Sequence, residues 1–298
     1  MTAVTAKTKI KENKPKLKSS TVLIYVLFSI LVILYIAPIV WIAITSLKTR
    51  PEIYKDPFGL PTVLQWENYS FAWNAGKLGT AMLNSLFVCV VTLIFTMLFG
   101  SMSAFAIGRM KWKLSGAAMM YILIGMMIPV HCVLIPLFVR FAGMGLDNNL
   151  WGLILPYLTF SLPTCVYIMT GFFRSIPNEL LESACIDGCS IYKTFYSICL
   201  PLSKTGLFVT GLMTFIGNWN ELLLAMVFIH DDTKKTLPVA VTKFVSPYQT
   251  NYEKMFPAIL IAIIPSIIVY SMFSNQIVDG LTQGAVKDKK RSGRSASS

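Results

Sequence analysis

Residues 78–108 read LGTAMLNSLFVCVVTLIFTMLFGSMSAFAIG, a stretch bounded by Lys77 and Arg109 with no charge between them. A helix needs about 20 predominantly apolar residues to cross a hydrocarbon core of roughly 30 Å, and uncharged runs beyond ~18 residues are candidates for that role. Four further runs on either side pass the same test: Ser19–Leu47, Leu114–Val139, Asn148–Phe173 and Met255–Val278. A sixth, Thr205–Ile229, carries a single charge, Glu221. The chain is therefore read as all-α, a polytopic membrane protein with six transmembrane helices.

Composition agrees. The 298 residues are 55% hydrophobic and only 13% charged, where soluble chains have about 25% charged residues. The net charge of +12 invites a nucleic-acid reading, and the placement of the charges argues against it. The N-terminal tail, the second and fourth loops and the C-terminal tail hold 17 of the 26 Lys and Arg; the first, third and fifth loops hold 9. Positive residues near span ends are retained on the cytoplasmic side. Both termini are expected in the cytoplasm, in a cell membrane crossed several times, with no nucleic-acid partner.

The first apolar run follows a basic tail, as a secretory signal would, but it is about twice the length of a signal core and no small-residue cleavage site follows. It reads as an uncleaved start-transfer helix. Cys89, Cys132, Cys165, Cys185, Cys189 and Cys199 then fall in spans or in the cytoplasmic fourth loop, where structural disulfides are not expected. Cys185 and Cys189 have no histidine nearby to complete a tetrahedral metal site, and small packing residues are the better reading.

The chain divides into a basic tail (1–20), a first span with its outer loop (21–80), a core (81–279) and a second tail (280–298). The basic N-terminal tail is expected to be disordered. In the outer loop, Phe58, Trp66, Tyr69, Phe71 and Trp73 suggest an ordered excursion. Pro38, Pro129, Pro136, Pro156, Pro163 and Pro265 lie within spans. They suggest kinked helices around a cavity, or simply the higher proline content of membrane helices.

The fourth loop, 173–204, is long and patterned. Pro177 suits a first helical turn, with Glu179 near the positive end of the dipole. Leu180, Leu181, Ala184 and Cys185 make one apolar stripe. Gly188 supplies a left-handed stop, Ser190 can cap a second helix, and Ile191, Phe195, Ile198 and Cys199 form that helix's stripe until Pro201. The expected result is a helical hairpin projecting into the cytoplasm.

At these residues the chain resembles the permease subunits of binding-protein-dependent ABC importers, with the type-1 permease fold. Their EAA loop has Glu-Ala-Ala, three residues, Gly, nine residues, Ile, one residue, Leu-Pro. Glu182, Ala184, Gly188, Ile198, Leu200 and Pro201 fall at those spacings, and Asp187 precedes the glycine; Ser183 and Cys189 replace alanines. Further stretches resemble the carbohydrate branch, the second permease of the maltose type: 67–69 (Glu-Asn-Tyr), 84–86, 128–129, 134–137, 145–146, 152–157, 219–221 (Trp-Asn-Glu) and 280–287. His131 and Leu181 depart from the usual residues. The resemblance implies a sugar or oligosaccharide importer. It also implies a homologous second permease subunit forming a heterodimer with this chain, two ATPase subunits that bind the ATP, and an extracytoplasmic sugar-binding protein.

Glu221 lies about 24 Å from the inner end of its span, counted at ~1.5 Å per residue, and a charge at the bilayer centre costs roughly 2.5–3.5 kcal/mol. It must face the bundle, a partner or water. Trp219, Asn220 and Glu221, with His131, are candidates for the translocation pathway; the alternative is that they tie helices together. No catalytic set, phosphate loop or nucleophile elbow is present, so no enzymatic activity, cofactor or metal is expected of this chain. A permease for polyamines or amino acids is the rival within transport, and a membrane enzyme or channel the rival outside it.

Overall fold

The computed structural model describes residues 19–246 and 250–295, with side chains for 21–246 and 250–273. The reading of the N-terminal tail and the side chains of 280–287 lie outside those residues. Every regular element described is helical. In order these are α1 (Ser19–Thr45), α2 (Arg50–Lys55), α3 (Glu67–Ala75), α4 (Leu78–Arg109), α5 (Ser115–Met126), α6 (Val130–Ala142) and α7 (Leu150–Arg174). They are followed by α8 (Asn178–Ile186), α9 (Ile191–Thr194), a π-turn at Phe195–Cys199, α10 (Leu200–Leu202), α11 (Lys204–Trp219), α12 (Leu223–Phe228), α13 (Leu237–Val241), a 3-10 turn at Thr242–Phe244 and α14 (Tyr252–Ser295).

Four helices are continuous candidate spans: Thr21–Thr45, Leu78–Arg109, Leu150–Arg174 and Tyr252–Phe273. The other two expected spans are broken. The pair α5 and α6 is bent by 91°, and the run from α9 to α10 meets α11 at 78°. Six spans are reached when each bent pair counts as one. Pro129 explains the first break: it sits at the N-cap of α6 with ψ 132°, has no N–H to continue α5, and pushes Ile128 out of the helical region. The run Thr205–Ile229, expected as one helix, stops at Trp219 and resumes at Leu223. Of the span prolines only Pro129 ends a helix; Pro38, Pro136, Pro156, Pro163 and Pro265 stand inside theirs.

The core is built on α4 and α7, which run side by side in the same direction. Gly100 permits their approach, since a Cβ there would collide with the Cys165 side chain. Cys89, Cys165 and Cys199 are buried among the apolar clusters, while Cys132 and Cys185 are exposed. The apolar window of α1 buries nothing against the rest of the chain, so its side chains must be covered by lipid or another subunit. α14 closes the bundle against α11 and α3.

The first loop is ordered chiefly by polar ties. Lys48, 1% exposed, donates from Nζ to the carbonyl of Asp56 at 2.7 Å. Asn68 Nδ2 donates to the carbonyls of Ser46 and Lys48, both at 3.0 Å, and Lys254 Nζ donates to Asn68 Oδ1 at 2.8 Å, joining the first loop to the start of α14. The aromatics expected to order it contribute less: Phe58, Trp66, Phe71 and Trp73 are exposed.

Candidate functional site: a helical hairpin and a broken helix

One end of the α4 and α7 pair carries the hairpin. Pro177 is the N-cap of α8, one position before the first turn, and Glu179 lies in that turn. After Ile186 the chain closes in a Schellman arrangement. The N–H of Cys189 donates to the Ala184 carbonyl at 2.9 Å, that of Gly188 to the Cys185 carbonyl at 3.1 Å, and Gly188 has φ +72°. Ser190 caps α9, its Oγ accepting from the Lys193 N–H at 3.3 Å. All three punctuation residues read from the sequence sit at their turns.

The stripes are narrower than expected. On α8 only Ala184 is buried and Leu181 partly so; Leu180 and Cys185 face outward. In the second half Phe195 and Cys199 are buried, Ile198 partly, and Ile191 is exposed. The expected single helix is interrupted by the π-turn because Pro201 lacks an N–H and its ring crowds the carbonyl one turn earlier.

The hairpin's base is fixed to the bundle. Phe195 lies 5.2 Å from Phe105 of α4 and 6.2 Å from Phe173 of α7, whose rings are themselves 5.9 Å apart. Arg109, at the end of α4, donates from Nε to the Phe173 carbonyl and from Nη1 to Asn178 Oδ1, each at 2.7 Å. The sequence reading counted Arg109 only as an orientation charge; its place at the end of a span beside the loop was the available signal. The hairpin's far side is exposed and partly apolar: Ile186 at 86%, Tyr192 at 69% and Tyr196 at 50%. Glu182 and Asp187 are exposed there as well.

The second candidate site is the break after α11. Glu221 is not on a helix face. Its Oε1 accepts from the Leu224 N–H at 2.8 Å and its Oε2 from the Ala225 N–H at 3.1 Å, placing the carboxylate on the positive end of α12. Tyr157 of α7 donates its hydroxyl to Oε2 at 2.6 Å. One turn along α7, Ser161 Oγ reaches Asn218 Oδ1 at 3.5 Å. Tyr157 and Ser161 were missed because their partners lie in a span far along the chain.

The four pathway candidates are not brought together. Trp219, 2% exposed, stacks on Phe215 at 5.5 Å and donates its indole N–H to the Ala262 carbonyl of α14 at 3.1 Å. Asn220 is exposed, with Nδ2 donating to the Ile216 carbonyl at 3.0 Å. His131 is exposed on the first turn of α6. A largely apolar cavity of about 670 Å³ lies between α5, α6 and α7, bordered by Tyr121, Ile128, Pro156, Phe160 and Pro163; none of the four borders it.

Residues 96–281 match the family described as "Binding-protein-dependent transport system inner membrane component". The chain is 34% identical to the diacetylchitobiose uptake system permease protein NgcG of Streptomyces coelicolor, over 88% of this chain and 86% of the relative. It is 32% identical to the trehalose transport system permease protein SugB of Mycobacterium tuberculosis, over 84% of this chain and 92% of the relative. Among solved structures, a chain of a bacterial ABC transporter that imports the acidic polysaccharide alginate shares the fold, with a TM-score of 0.76 and 22% identity over 88% of this chain and 99% of that one.

Proposed function

The chain belongs to the family of binding-protein-dependent transport system inner membrane components, and from that membership we propose that it is the permease subunit of an oligosaccharide importer. It pairs with a second, homologous permease, receives sugar from an extracytoplasmic binding protein, and is driven by ATP hydrolysis on two separate subunits. Both termini and the hairpin lie in the cytoplasm. The substrate class follows the names of relatives that take diacetylchitobiose and trehalose.

The observation that carries the mechanism is the fixed hairpin base. An ATPase subunit docked on Ile186, Tyr192 and Tyr196 has an apolar hold on the hairpin, and Glu182 offers it a carboxylate. A displacement of that surface cannot be absorbed by a flexible tether. It passes through the Phe105, Phe173 and Phe195 rings and the Arg109 fork into α4 and α7, and through the bend at Ser203 into α11. In this role Glu182, Ala184, Asp187, Gly188, Ile198, Leu200 and Pro201 shape the coupling element. Trp219 and Glu221 tie α11 and α12 to α14 and α7, the helix-tying alternative, and leave Asn220 and His131 as the candidates able to face the pathway.

Affinity purification of the tagged chain from its own host's membranes, followed by mass spectrometry, tests the assembly. A second permease and an ATPase should co-purify, and a thermal-shift screen of the accompanying binding protein should respond to an oligosaccharide. A complex without an ATPase would contradict the proposal; a binding protein responding to polyamines or amino acids would contradict the substrate class.

A further inference from the structure

At the hairpin end of the bundle, a recess of about 550 Å³ opens between the ends of α4 and α7 and the start of α5. Arg109, Lys111, Lys113 and Arg174 border it, together with Trp112, Ser115 and Asn178, and no acidic residue does. Among the described residues the only ion pairs are Lys235 and Lys243 with Asp232, so none of these four cations has a carboxylate partner there. Arg109 Nη2 is buried and has no acceptor among the described residues. The start of α5 adds to the positive field, for Leu114 at its N-cap offers no side-chain oxygen and its first turn holds no acid.

Four cations gathered without a counter-charge repel one another, and the recess between them is shaped for an anion. We propose that it binds the phosphate of an anionic phospholipid headgroup. The connecting segment favours lipid over a soluble anion. Met110, Trp112 and Leu114 alternate with Lys111 and Lys113, and the three apolar side chains are exposed. That alternation suits a membrane interface, where apolar side chains enter the acyl boundary while lysines reach the phosphates. The headgroup would lie against Arg109, which also holds the hairpin base, so lipid occupancy bears on the rigidity of the coupling element. The location of the recess in the cytoplasmic leaflet rests on the orientation proposed above.

The test uses the purified transporter complex in detergent, titrated with phosphatidylglycerol or phosphatidylcholine and examined by native mass spectrometry. Each lysine near an anionic surface strengthens the attraction about fivefold, so Lys111→Gln with Lys113→Gln should reduce phosphatidylglycerol retention roughly thirtyfold. Lys111→Arg with Lys113→Arg should retain it, and Lys193→Gln on the hairpin should leave it unchanged. Equal retention of the two lipids, or wild-type retention in the double glutamine variant, would overturn the proposal. So would stabilisation of the wild type by inorganic phosphate alone that matches phosphatidylglycerol and is lost in the same variant, since the ligand would then be free phosphate. Retention in detergent does not depend on which face is cytoplasmic, so a wrong orientation would be exposed by cysteine labelling and would leave this result standing.

Discussion

Glu221 shows how a charge inside an apolar run is made tolerable. Its carboxylate is held by two backbone N–H groups of α12 and by the Tyr157 hydroxyl. A hydrogen bond to a charged group contributes about 1.5–3 kcal/mol, and orphaning the partners costs more than removing both sides together. Tyr157→Phe should therefore lower the melting temperature of the purified complex modestly, and Glu221→Ala should lower it further and reduce assembly; intact assembly with abolished uptake in Glu221→Ala would instead place the residue in the pathway. Trp219→Ala should cost about 3–5 kcal/mol, the range for emptying a large aromatic site. In the first loop, hydrogen bonds from Thr62 and Thr49 pull the Glu52 carboxyl down from 4.5 to about 2. A depressed folded-state value means the clasp is fully effective above about pH 4.5 and is lost as the pH falls toward 2. Protease susceptibility of the first loop should rise across that window, and Glu52→Gln should remove the dependence; a flat profile in the unsubstituted protein would refute the clasp.

At the scale of elements, the three-ring cluster is where the hairpin meets the bundle. Phe195→Ala should leave ATP hydrolysis measurable but no longer stimulated by liganded binding protein, and Arg109→Lys should act in the same direction because a lysine cannot reproduce the two-nitrogen fork. Unchanged stimulation in both would argue that the base is not a rigid joint. The six apolar stretches and the hairpin's Gly188 and Ser190 turns were legible in the sequence, because each depends on neighbours within a few residues. The breaks were less so. Pro129 ends a helix while Pro156 and Pro163 stand inside one, and residue type alone does not separate the two cases. The direction of Trp219 depends on α14, more than 30 residues later in the chain, and no local pattern carries it.

For the whole molecule, the proposed orientation rests on the distribution of charge. The structure places the second loop and the hairpin at one end, through Arg109 and Asn178, and the first and fifth loops at the other, through Lys254 and Asn68 and through Asn84, which donates to the Thr233 and Lys235 carbonyls. In intact cells an impermeant thiol reagent should label an engineered cysteine at Asp232 and spare one at Ser190; the reverse pattern would invert the topology. The proposed coupling mechanism turns on the hairpin acting as a rigid element. A Cβ at Gly188 meets open space, so a side chain there strains the backbone by about 1–2 kcal/mol without a collision, and a β-branched residue is least tolerated at positive φ. Exposed ion pairs contribute only ~0–1 kcal/mol, so Glu182→Lys should be the milder change. The most direct measurement is ATP hydrolysis by the complex reconstituted in vesicles, with and without liganded binding protein, together with sugar uptake. In Gly188→Val the complex should assemble and hydrolyse ATP at its basal rate while stimulation and uptake are lost; stimulation and uptake at the level of the unsubstituted complex would contradict the coupling role.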